Sequence, residues 1–108
     1  MDDQREKNKI VGISQIGIII NGDVSEIKKL SKKEANQVGK VVNSQEEIIS
    51  EITPAIIILN VSEKGWHSRF RALVDTGADI NARVQYHGKE TTAHQLLVNH
   101  RGGDNFLK

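Results

Sequence analysis

Two short isoleucine runs, Ile18–Ile20 and Ile56–Ile58, constrain this chain more than any other feature. β-Branched side chains are stiff at χ1 and favour strand locally. Runs this short carry no readable period, so helix and buried strand both fit them. The surroundings repeat as well. Each run is followed by a glycine, an apolar residue five positions later, and another three beyond that. The sets are Gly22, Ile27, Leu30 and Gly65, Phe70, Leu73. A partial third copy reads Gln95-Leu96-Leu97-Val98-Asn99, Gly102-Gly103, Phe106-Leu107. The anchors Ile27, Phe70 and Phe106 are 43 and 36 residues apart, the size of a helical solenoid unit. Helix is therefore the expected state of both isoleucine runs, because a helix packed between neighbours can be apolar over most of its surface.

Local signals point the same way. Thr53-Pro54 is a helix start, since threonine caps and proline tolerates the first position. Asp23 with Glu26, and Ser44 with Glu47, have the spacing of capping boxes. The second of these precedes Ile48, Ile49 and Ile52, for which a short helix is one expectation and an enlarged loop the other. Phe70, Leu73 and Val74 make an i, i+3, i+4 apolar stripe that stops before Gly77. Lys28, Lys29, Lys32 and Lys33 fall late in the matching first-copy helix, where cations suit the dipole.

The chain has 108 residues, which predicts one domain. It is 37% hydrophobic and 27% charged, which excludes a wholly disordered or low-complexity chain. Aromatic residues make up 4%, so the core must be aliphatic. A net charge of +1 offers no strong field for nucleic acid or an anionic membrane. There is no cysteine, which removes disulfides, cysteine-ligated metals and a thiol nucleophile. The charged start Met1–Lys9 is unlike a signal peptide, and no apolar run is long enough to span a bilayer. A soluble, cytoplasmic protein is expected.

The segment Ala72-Leu73-Val74-Asp75-Thr76-Gly77-Ala78-Asp79-Ile80-Asn81-Ala82 resembles the end of an ankyrin repeat, L-L-x-x-G-A-D-V-N-A. Thr53-Pro54-Ala55-Ile56 sits where that family has T-P-L-H, and Gly65-Trp66 where it has G-H. Gly88-Lys89-Glu90-Thr91-Thr92-Ala93-His94 resembles the start of the next unit. In the first copy Glu34 takes the place of the terminal glycine, a costly substitution if that position needs positive φ. The resemblance covers residues 10–108 and is clearest over 65–94. It implies an all-α helix–turn–helix solenoid of about three repeats. The approximate repeats are 10–38 (degenerate), 39–82 and 83–108 (incomplete), after a charged tail at 1–9. Because Phe106-Leu107-Lys108 would be only one turn of a helix, either further repeats of a longer chain follow or the tail is a short cap. The first is preferred.

The function implied is non-catalytic protein–protein recognition, through fingers between repeats and a concave helix face, without cofactor, nucleic acid or membrane. The candidate contacts are Arg83, Gln85, Tyr86 and His87, in the finger between Ala82 and Gly88. Trp66 is a further candidate, with packing as its competing role. Gln45, Glu46 and Glu47, in the long linker 39–52, are also placed to face a partner.

An enzyme is the rival class. Leu73-Val74-Asp75-Thr76-Gly77 resembles the loop of retroviral-type aspartic proteases, in which Asp75 would be the catalytic carboxylate. The motif comes late in the chain, and no apolar-apolar-glycine run follows it. His67, His87, His94 and His100 have no spacing or nearby carboxylate that makes a zinc site, so no metal is expected. Gly102-Gly103 lacks the Lys-Ser/Thr of a phosphate loop. The lysines at 28–33 read as a solvated face balanced by Glu26 and Glu34.

Overall fold

The computed structural model describes residues 8–61 and 66–101, with side chains to Asn60 and from Trp66 to Asn99. Both isoleucine runs are helical. Ile18–Ile20 lies in α1 (Ile16–Asn21) and Ile56–Ile58 in α4 (Pro54–Val61). Ile19, Ile56, Ile57 and Ile58 are sealed in the core. Thr53 stands before α4, its hydroxyl accepting the Ile56 N–H at a long 3.4 Å.

The capping box at Asp23 is formed. Its carboxylate accepts the Glu26 N–H at 2.9 Å, and Glu26 accepts the Asp23 N–H at 3.0 Å. It opens α2 (Val24–Lys28). A second box stops that helix from continuing. Ser31 accepts the Glu34 N–H and Glu34 accepts the Ser31 N–H, which starts α3 (Lys32–Ala35). Lys32 and Lys33 therefore begin a new helix, and Glu34 sits inside it with no need of positive φ.

The expected all-α solenoid is overturned. Among the described residues the chain is a mixed α/β globule with two antiparallel sheets. In the first, β1 (Lys9–Val11) pairs with β2 (Gly39–Val42), and β2 with β3 (Ile48–Ile52). In the second, β4 (Val84–Tyr86) pairs with β5 (Lys89–Thr91). The physical reason lies at Asn43. Its amide oxygen accepts the Gln45 and Glu47 N–H groups, each at 2.9 Å, so it folds the chain back before Ser44 can cap a helix. The flanking β-branched residues then follow their own strand preference. Region 39–52 is thus a hairpin, and no helix forms at 48–52.

The remaining helices are α5 (Trp66–Asp75) and α6 (Ala93–Arg101). Phe70 and Leu73 of the apolar stripe are fully buried, and Val74 packs on the same cluster. α5 closes with a Schellman motif: the Gly77 N–H donates to the Val74 carbonyl and the Ala78 N–H to that of Leu73. Gly77 has φ +106°, which is why glycine belongs there. α4 packs between α1 and α6, and α2 packs on α5. The intervals 10–38, 39–82 and 83–108 begin on β1, on β2 and one residue ahead of β4. The expectations resting on 1–7, on Gly65, on Gly102-Gly103 and on Phe106–Lys108 lie outside the described residues.

Two polar side chains join these parts. Arg69 on α5 donates to the carbonyls of Gly22 at 2.9 Å and of Ile18 and Ile19 at the end of α1. Burial holds its pKa below the ordinary arginine value. Asn36 donates to the carbonyls of Lys32 (2.9 Å) and Gly77 (3.0 Å) and accepts the Asp79 N–H (2.7 Å), tying α3 to the end of α5.

Two stability outcomes follow from these contacts. Arg69→Ala should lower the unfolding free energy by roughly 2–3 kcal/mol in urea titration, because it orphans half-buried carbonyls; a loss within experimental error would deny Arg69 this role. The Glu34 carboxyl is held below its ordinary value, first by the Ser31 N–H. A depressed folded pKa adds stability that is present above the unfolded value and lost as pH falls through the folded one. Stability of the native chain should therefore drop below pH 4.5 more than that of the Glu34→Gln chain, which matched acid titrations would show.

Candidate interaction surface on the paired hairpins

The two hairpins lie side by side with β3 next to β4. Each is set by its turn. His87-Gly88 links β4 to β5 with φ +52° and +82°, the left-handed pair that a type I′ turn demands. Histidine is among the few non-glycine residues that reach this region readily, and glycine takes the second place. In the β2–β3 turn, Glu46 takes φ +66° while Asn43 holds the surrounding amides.

No backbone ladder is found between β3 and β4; side chains stitch them. The Gln85 N–H donates to the Glu51 carboxylate at 2.7 Å. The His87 N–H donates to the Ser50 hydroxyl at 3.0 Å, and that hydroxyl donates to the Glu51 carbonyl at 2.9 Å. Lys40 approaches the other Glu51 oxygen at 3.7 Å. The Tyr86 hydroxyl accepts from the Asn60 side chain at 2.7 Å, which ties β4 to α4.

The register of β3 determines what faces outward. Val41 pairs with Ser50 and Val42 with Ile48, so Ile49 is the extra residue of a β-bulge. The bulge breaks the in-out alternation and leaves two consecutive isoleucines in water. Ile48 is 63% exposed and Ile49 38%. With Lys40, Gln85 and Gly88 they line an open groove of about 260 Å³ between the hairpins.

The candidate contacts are only partly brought together. Gln85 lines this groove, and the exposed His87 sits at its rim beside Gly88. Tyr86 is half-buried and packs on the core, with its ring edge-on to His87 at 4.3 Å. Arg83 is exposed but lines a separate polar hollow with Asn81, Glu90 and His94. Trp66 is 6% exposed, edge-on to Phe70 at 6.3 Å, so it packs in the core and presents little surface to a partner. Gln45, Glu46 and Glu47 are exposed on the β2–β3 turn. The sequence does not single out Ile48 and Ile49, because region 39–52 reads equally as a short helix or an enlarged loop. The signal that finds them is a polar stretch between two β-branched runs, the mark of a hairpin.

Asp75-Thr76-Gly77 is a helix end. Asp75 is the exposed last residue of α5, and the Thr76 hydroxyl donates back to the Leu73 carbonyl at 2.7 Å. Among the described residues no three His, Asp or Glu side chains gather as metal ligands. Among them, too, no helix is long and apolar enough to cross a membrane. No protein-family model matches the chain, and neither a curated protein nor a solved structure matches it.

The stitch has a local readout. Ser50→Ala should speed hydrogen exchange of the His87 amide by at least about tenfold with little change in global stability. Unchanged exchange would mean that the Ser50 hydroxyl does not hold the hairpins together.

Proposed function

We propose that this chain is a non-catalytic recognition module that binds a protein partner in the groove between its two hairpins. The observation that carries this reading is the pair Ile48 and Ile49, exposed side by side on a bulged strand. Scattered exposed isoleucines need no explanation, whereas an adjacent pair opening onto a groove supports a contact surface there. Covering both side chains would contribute roughly 2–4 kcal/mol before the cost of association. The surface is pre-organised, since two tight turns and the Ser50 and Glu51 bonds fix it. Gln85, His87 and Lys40 supply a polar rim around the apolar centre, the usual anatomy of a recognition patch.

Selection of a displayed library of random peptides of about twelve residues against the chain tests the reading. Enriched peptides should carry aliphatic or aromatic residues. They should bind the Ile48→Asp/Ile49→Asp chain at least about tenfold more weakly, with its far-UV circular dichroism unchanged. Equal binding to both chains, or no enrichment, would overturn it.

A further inference from the structure

Asn21-Gly22 is the only asparagine–glycine pair in the sequence. Asparagine is a thermolabile residue, and a following glycine leaves its own amide nitrogen unshielded beside the asparagine side chain. The pair closes α1, and its two halves meet opposite surroundings. Asn21 is exposed and lines an open hollow with Ser14, Gly17 and Glu26, so water reaches its side-chain amide. Gly22 is buried. Its N–H donates to the Ile18 carbonyl at 2.7 Å, and its carbonyl accepts from Arg69 at 2.9 Å. A Cβ on Gly22 would stand 2.6 Å from the Ile18 carbonyl oxygen and 2.9 Å from Ile18 Cγ2, so the packing demands glycine here. The fold imposes the labile neighbour on Asn21 and at the same time shields its nitrogen.

We infer that Asn21-Gly22 is a fold-gated modification site, intact while the end of α1 is closed and converted to aspartate or isoaspartate once it opens. The reaction consumes only water. The Gly22 nitrogen gives its proton to solvent hydroxide and attacks the side-chain carbonyl carbon of Asn21. The bond from that carbon to the amide nitrogen breaks, and this nitrogen takes up a proton and leaves as ammonia. Water then opens the cyclic imide. Attack at the side-chain carbonyl leaves aspartate at 21. Attack at the backbone carbonyl leaves isoaspartate, in which the main chain runs through the former side chain.

The closed protein blocks the first step in two ways. A buried, bonded N–H does not meet hydroxide, as in protected hydrogen exchange. Ring closure must also turn the Asn21–Gly22 peptide plane out of its helical setting, which breaks the bond to Ile18. Opening requires release of Arg69, which holds carbonyls on both sides of the pair. The step is one-way as well. Isoaspartate lengthens the main chain by a carbon atom where Gly22 already lies too close to Ile18 for a Cβ. Arg69 then no longer spans the carbonyls of Ile18, Ile19 and Gly22. The site is separate from the hairpin groove, and its test does not depend on that reading.

The test follows the full chain in mildly alkaline buffer by peptide mass spectrometry, with isoaspartate assigned by fragmentation. Modification at 21 should be at least about tenfold slower in the folded chain than in the urea-unfolded one. Without urea, Arg69→Ala should speed it at least about threefold. If that variant does not fold, low urea on the unaltered chain supplies the opening, and modification should rise in step with hydrogen exchange of the Gly22 amide. Asn21→Gln should show no product on the same timescale. A chain aged in urea and returned to buffer should unfold at a lower urea concentration than a fresh one, while the aged Asn21→Gln chain matches its fresh form. The inference is overturned by equal rates in folded and unfolded chains, by no modification at 21 in urea, by a folded Arg69→Ala chain or a low-urea series that modifies no faster, or by an aged chain as stable as a fresh one.

Discussion

The guanidinium of Arg69 reaches three carbonyl groups of a helix end with few supports of its own. α1 is six residues long, carries three consecutive isoleucines and has no side-chain N-cap. A helix this short does not stand alone in water, because nucleation costs more than a few internal bonds return. Its stability must come from packing and from whatever satisfies its last carbonyls. Arg69 does the second from α5, across about fifty residues of chain, while α4 supplies the first. The Asn36 clamp works alike at the other end of α5. A set of short helices, α1 to α3, becomes one body with α4 and α5 through long-range polar bonds laid over an aliphatic core.

The hairpins rest on that body in a different way. Val84 is buried and Tyr86 is bonded to Asn60, so β4 is anchored to the helices directly. β3 is anchored through Ile52 and through Ser50, which is buried because it serves two backbone groups at once. Joining the sheets by side chains instead of a continuous ladder leaves an open seam. That seam is the groove.

What the sequence made legible follows one rule: signals read correctly where the determinant was local and had no competitor. Asp23 with Glu26, Thr53-Pro54, the Phe70–Leu73–Val74 stripe and Gly77 all act within a turn or two of helix, and each is found in place. Ser44 with Glu47 had the same spacing as a true capping box, but Asn43 took the amides first. Ser31 with Glu34 was equally readable by that spacing. It is obscured because the ankyrin resemblance puts Glu34 at the end of a repeat. Trp66 was ambiguous between anchor and core, and it is buried. The Arg69 contact leaves no trace in a linear reading, since its acceptors are backbone carbonyls. The exposure of Ile48 and Ile49 was hidden for a related reason: it depends on a pairing register with β2.

That register carries a consequence of its own. Ile49 is one residue more than the ladder needs, with Val41 opposite Ser50 and Val42 opposite Ile48. Removing that single codon would join the two pairings into a regular ladder and leave every core residue paired as before. The outward apolar step would shrink to Ile48, which keeps its place opposite Val42. The width of the proposed contact surface is thus set by chain length at one position and not by composition alone. A one-residue deletion there would narrow it, while the residues that fold the protein stay unchanged.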